Sequence, residues 1–110
     1  MGYSNYWNWD GIKNKEDVDL LLKKVNKILK KHKDIIRKEY NQDLPAVCSE
    51  KCILFNGIGD DGHETFYFRL SGDWNFCKTA RKPYDEVVWE VLKAVKKLFP
   101  DKISISNDDC

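Results

Sequence analysis

The apolar positions change period several times along the chain, and each change marks an element. From Tyr3 to Trp9 the side chains alternate, with Tyr3, Asn5, Trp7 and Trp9 against Ser4, Tyr6 and Asn8. A period of two predicts a strand over residues 2–9, and Asp10-Gly11 turns the chain. Asn14 then reads as an N-cap, with Glu16 and Asp17 where acids complement a helix dipole. Val18, Leu21, Leu22, Val25, Ile28, Leu29, His32 and Ile36 recur at helical spacing, while Lys23, Lys24, Lys27, Lys30 and Lys31 fall on the opposite side. This predicts an amphipathic helix to about Tyr40, its lysine face solvated and His32 at the edge of the core.

Asn41 to Lys51, containing Leu44-Pro45, reads as a connection. Strands follow over Cys52–Asn56, Glu64–Leu70 and Trp74–Thr79, separated by the turns Gly57–His63 and Ser71–Asp73. The connections are too short for crossovers, so the three strands are expected as an antiparallel meander. Pro83 suits a helix start. Tyr84, Val87, Val88, Val91, Val95, Leu98 and Phe99 form the next buried stripe, Pro100 ends it, and Trp89 falls outside it. Lys102–Ser106 alternates again, as a last strand. The order is β-α-β-β-β-α-β. The expected fold is a single α/β (α+β) domain over residues 1–110, a two-layer sandwich with two helices on one face of a mixed, largely antiparallel sheet.

Composition narrows the functional classes. The chain has 110 residues, 42% of them hydrophobic, which suits one packed domain rather than a disordered segment. Nineteen Lys and Arg stand against 18 Asp and Glu, a net charge of +1. A general nucleic-acid binder carries a larger positive field, so nucleic acid is not the expected partner, and any anion site must come from local clustering. No apolar run has the length of a membrane span, and the first residues lack a signal-peptide pattern. A cytoplasmic setting is expected, with Cys48, Cys52, Cys77 and Cys110 mostly reduced. Cys48 and Cys52 would need two more ligands from His32, His63 and Cys77, at spacings that match no zinc module, so neither metal nor cofactor is expected.

Three segments could carry chemistry. In Lys78-Thr79-Ala80-Arg81-Lys82-Pro83, three cations and a hydroxyl surround an expected helix N-terminus, where free N–H groups already favour an anion. Cations there disfavour the helix itself, which points to something negative among them. That could be a phosphate-bearing ligand, or Asp60, Asp61, Glu64 and Asp85 in an internal ion cluster. The glycine-rich segment Asn56–Thr65 would let backbone approach a ligand, although its length and spacing are neither those of a P-loop nor of a calcium loop. A polar hairpin turn explains the same residues. The N-terminal Tyr3, Tyr6, Trp7 and Trp9 could stack on a base, with Asn5 reading its edge, or simply pack. No nucleophile–base–acid set assembles, although Cys77 beside Lys78 with His63 as base is one arrangement, so binding is expected in preference to catalysis.

The segments Met1–Trp7, Asn56–Phe66 and Phe76–Asp85 together resemble a family of small bacteriophage and bacterial proteins. Its members share a Met-Gly-Tyr-Thr-His-Tyr start, an Asn-Gly-x-Gly turn followed by Glu-Thr-Phe, and a Phe-Cys-Lys-Thr-Ala-Arg-Lys-Pro-Tyr-Asp segment. Here Ser4 and Asn5 replace the Thr-His of the start, and Ser104–Asp108 only loosely echoes the family's Ser-Ser-Asp-Gly ending. The resemblance implies a phage-associated context, in a bacterial host cytoplasm, and supplies no activity. With it, the residues suggest a non-enzymatic protein that binds a small anionic nucleotide-like molecule and sequesters a bacterial immune signal. Lys78, Arg81 and Lys82 would hold phosphate, Thr79 and Asn56 would hydrogen-bond, and Tyr3, Tyr6 or Tyr84 would stack. The alternatives are a protein-binding inhibitor of a host defence enzyme, using Trp89 or the lysine helix, and a nucleotide-processing enzyme using His63, Glu64 or Cys77. A binder this small needs concavity, so self-association is expected as well.

Overall fold

The computed structural model describes residues 3–109. Met1, Gly2 and Cys110 lie outside them, and with them the start of the expected first strand and one of the four thiols. The elements are β1 (Ser4–Trp9), α1 (Lys15–Lys31), β2 (Val47–Cys48), β3 (Cys52–Phe55), β4 (Phe66–Arg69), β5 (Asp73–Lys78), α2 (Asp85–Leu98) and β6 (Ile103–Asn107). They form an α+β fold with two helices and two antiparallel sheets, ordered β5-β1-β6 and β2-β3-β4. The helices pack on each other, α2 against β1 and β6 and α1 against β2, in a two-layer arrangement.

Buried aromatic residues form the centre of the core. Trp7 and Trp9 point inward from β1 and are almost completely buried. Their rings lie against Phe66, Phe68 and Phe99, with Trp7 5.1 Å from Phe66 and Trp9 5.6 Å from Phe68 between centroids. β1 is the central strand, with its two edges bonded to β5 and β6. β5 pairs with β1, in the register Ser4↔Lys78 to Trp9↔Asp73, and not with β4 as a three-residue connection predicts. β4 and β5 still adjoin. Gly72 N–H donates to Arg69 C=O across the turn, and Glu64 N–H donates to Lys78 C=O at the other end. The turn leading into α1 crosses the β4–β5 turn closely. A Cβ on Gly11, whose φ is +89°, would lie 2.1 Å from the Ser71 carbonyl oxygen, so only glycine fits.

Helix α1 starts as expected, with Asn14 Oδ1 accepting from the Glu16 and Asp17 N–H groups at 2.8 and 3.4 Å. It ends at Lys31 rather than near Tyr40, because the next apolar residues serve a different contact. Ile36 enters the core, and Arg37 exchanges both backbone bonds with Asn56, which pulls the chain off the helix axis. The short strand β2 was expected to be part of a connection. Helix α2 begins at Asp85, two residues after Pro83, with Tyr84 at the N-cap. Trp89 is half-buried and packs at the edge of the core. Among the described residues no helix is long and apolar enough to cross a membrane.

Candidate functional site

The basic turn is built by the protein's own groups. Tyr3 C=O accepts from the N–H groups of Thr79 and Ala80 at 2.9 and 3.2 Å, and Lys82 N–H closes the turn on Thr79 C=O at 3.0 Å. Its two central residues, Ala80 and Arg81, both have positive φ, 53° and 58°, where hairpin turns usually carry Asn-Gly. Thr79 is fully buried, and its hydroxyl donates to Asp85 Oδ1 at 2.6 Å. The same oxygen accepts from Asn5 Nδ2 at 2.7 Å. Asp85 and Glu86 occupy the first turn of α2 and supply the negative charge its N-terminus favours.

The remaining residues of this segment diverge. The Arg81 guanidinium lies 4.1 Å from the centroid of the buried Tyr3 ring and bonds Asp109 at 2.5 Å. Both partners of that ion pair are more than half exposed, so it contributes little. Tyr84 is buried, and its hydroxyl donates to the Glu64 main-chain oxygen at 2.5 Å. Burial, followed by the nearby Cys77, pushes its pKa up. The Cys77 thiol donates to the same oxygen at 3.3 Å. Burial, reinforced by Glu64, pushes that thiol up to about 12, so at neutral pH it is protonated and unsuited to nucleophilic attack.

Asn56 is fully buried and its side chain is completely used. Nδ2 donates to His63 C=O and to Thr65 Oγ1, and Oδ1 accepts from the N–H groups of Gly57 and His63. It pins the glycine-rich loop, whose centre is a single 3-10 turn at Gly59–Asp61. The loop meets the basic turn. Lys82 lines one cleft of about 380 Å³ with Tyr40, Gly59, Asp60, Gly62 and His63. The two segments singled out in the sequence are thus neighbours in space, but Asn56, Thr79 and Tyr84 are occupied by internal bonds. Among the described residues no group of three His, Cys, Asp or Glu side chains lies together as a metal-ligand set.

Two of the expected ligand residues, Tyr6 and Lys78, share a different surface. In β1 and β5 the inward positions are Trp7, Trp9 and Cys77, so Tyr6, Asn8, Trp74, Phe76 and Lys78 point away from the helices. The register sets Tyr6 beside Phe76, Asn8 beside Trp74, and Ser106 and Ser104 of β6 on the other side of β1. Tyr6 and Phe76 are 6.2 Å apart between ring centroids, and Phe76 and Trp74 are 6.3 Å apart. Trp74 is 62% exposed and Phe76 42%. A shallow pocket of about 180 Å³ lies between Tyr6 and Trp74, with Asn8, Ser104 and Ser106 at its walls. The Tyr6 hydroxyl is fixed by donating to Asp108 Oδ1 at 2.8 Å. Trp74 and Phe76 are not among the ligand residues expected from the sequence. Their alternation with the buried Cys77 was the available signal.

No protein-family model matches the chain, and no solved structure matches it. Over 87 residues, covering 72% of this chain, it is 31% identical to the alanine–tRNA ligase of Parabacteroides distasonis. The matched stretch is 10% of that protein, so the chain spans about a tenth of the ligase's length.

Proposed function

We propose that the protein binds a small anionic, nucleotide-like molecule on the open face of the β5-β1-β6 sheet and does not transform it. The observation that carries this reading is the row of rings Tyr6, Phe76 and Trp74 next to Lys78, half-buried at Tyr6 and exposed at Phe76 and Trp74. Two exposed rings beside a half-buried one leave apolar area unburied, and a planar base would cover it. Asn8, Ser104 and Ser106 offer hydrogen-bonding groups for a base edge, and Lys78, two residues along β5 from Phe76, offers a cation for phosphate. The buried, protonated Cys77 supports binding in preference to catalysis. The ligase that the chain matches in part is named for tRNA, whose bases and phosphates carry the same two chemical features. In the phage setting that the sequence resemblance implies, such a binder would sequester a nucleotide signal of bacterial defence.

Calorimetric and thermal-shift titrations with cyclic nucleotides and cyclic ADP-ribose variants test the proposal. Tyr6→Ala and Trp74→Ala should each weaken binding about tenfold, and Lys78→Ala should weaken it and reduce its salt sensitivity. If Arg81→Ala and Lys82→Ala abolish binding while the aromatic variants leave it unchanged, the ligand lies at the basic turn. No shift with any nucleotide, together with capture of a host defence protein, would overturn nucleotide binding. Release of a new product detected by mass spectrometry would make the protein an enzyme.

A further inference from the structure

We infer that a groove beside the start of α1 is a second site, for an organic anion with an aliphatic body. The groove has a volume of about 790 Å³ and draws its walls from the β1–α1 connection, the first two turns of α1, the β2–β3 turn and β4. That size suits a small molecule. Its cations come from separate parts of the chain: Lys13 and Lys15, Lys51, and Arg69. Its acids are Asp19 and Glu50. Lys15 is paired with Asp19 at 3.5 Å, which leaves Lys13, Lys51 and Arg69 facing Glu50 in the groove, with Asp73 of β5 near Arg69. None of those three cations has an ion-pair partner among the described residues.

The surface between these charges is apolar. Val18 and Leu22 are half-buried and rest against the core, and Tyr67 is 39% exposed with the Arg69 guanidinium 6.0 Å from its ring centroid. Leaving two aliphatic side chains and a ring at the bottom of a cationic groove is unfavourable in water. A ligand with a hydrocarbon chain would cover them while its anionic head met Lys13, Lys51 and Arg69. The aliphatic floor distinguishes this groove from the open sheet face, where rings and amide or hydroxyl groups predominate. The inference is independent of the function proposed above, because the two surfaces share no residue.

The test is a titration of the nitrogen-15-labelled protein with octyl phosphate below its micellar concentration, followed by amide chemical shifts. Inorganic phosphate and octyltrimethylammonium serve as the comparison probes. Shifts should cluster at Lys13, Val18, Leu22, Lys51 and Arg69 with octyl phosphate and be absent or far weaker with the other two. Lys51→Glu and Arg69→Glu should each lower the affinity about tenfold, and Leu22→Ser should lower it as well. All three side chains reach the surface, and a well-dispersed spectrum of each variant verifies the fold. The inference is overturned if octyl phosphate leaves those amides unmoved, if inorganic phosphate binds equally well, or if the charge reversals change nothing.

Discussion

Arg81 stacks its guanidinium on the ring of Tyr3, 4.1 Å from the centroid, and does so from a left-handed backbone that arginine rarely adopts. Ala80 before it shares that conformation. The left-handed region costs a residue with a Cβ about 1–2 kcal/mol, and here the Tyr3 carbonyl and Asp109 hold the turn in place. Ala80→Gly removes one such cost without touching a side-chain contact. It should stabilise the protein by about 1 kcal/mol in chemical denaturation, whereas Arg81→Ala should destabilise it by about 0.5–1 kcal/mol through lost stacking. A destabilised Ala80→Gly protein would show that the turn is not strained.

Asn56 makes four side-chain hydrogen bonds from a fully buried position. Asn56→Ala should cost about 3 kcal/mol and release the loop at residues 57–65, read as faster amide exchange at Gly57 and His63. Asn56→Asp keeps the oxygen that accepts from Gly57 and His63 but turns a second, charged oxygen on the His63 carbonyl, so it should cost at least as much as Asn56→Ala. Unchanged exchange in Asn56→Ala would remove the loop-pinning role.

Cys77 is fully buried, and burial with Glu64 nearby raises its thiol to about 12. Iodoacetamide at pH 8 should leave Cys77 unmodified in the folded protein and alkylate it after denaturation. Peptide mass spectrometry reads the site directly. Rapid modification of the native protein would reopen a nucleophilic role.

Glu90 joins the two helices through Lys31 at 2.6 Å and His32 at 2.9 Å. Burial opposes its charge, but the bonds from Lys31 and His32 outweigh that and lower its pKa below the ordinary value of 4.5. A lowered folded value means that Glu90 stabilises the fold above its unfolded pKa, and that this contribution fades as pH falls through the folded one. Glu90→Gln should therefore lower stability at pH 6 and flatten its decline between about pH 5 and 3. Equal acid sensitivity in the two proteins would place the titrating group elsewhere.

The start of α1 was legible because Asn14, Glu16 and Asp17 satisfy local backbone donors. Its end was not, since the apolar spacing continues through His32 and Ile36 while the chain leaves the helix to bridge Arg37 to Asn56. A connection of three residues suggested that Trp74–Thr79 lies beside Glu64–Leu70. It pairs instead with β1, more than sixty residues away in sequence, a long-range register that local pattern does not encode. The candidate site divides in the same way. Local charge singled out residues 78–82, but only the register between β1 and β5 reveals that Tyr6 and Lys78 share a face with Trp74 and Phe76. Only the folded loop reveals that Asn56 is fully used.

β1 is made before both of its partner strands, which lie more than sixty residues further along the chain. Its ladder is completed by β5 and then by β6, and its Ser4 N–H donates to Asp108, 104 residues away. Until β6 emerges, the inner face of β1 exposes two tryptophans with one flank uncovered. The segment stays incompletely covered until both partner strands have been made, so this domain should fold slowly for its size and be sensitive to chaperone supply.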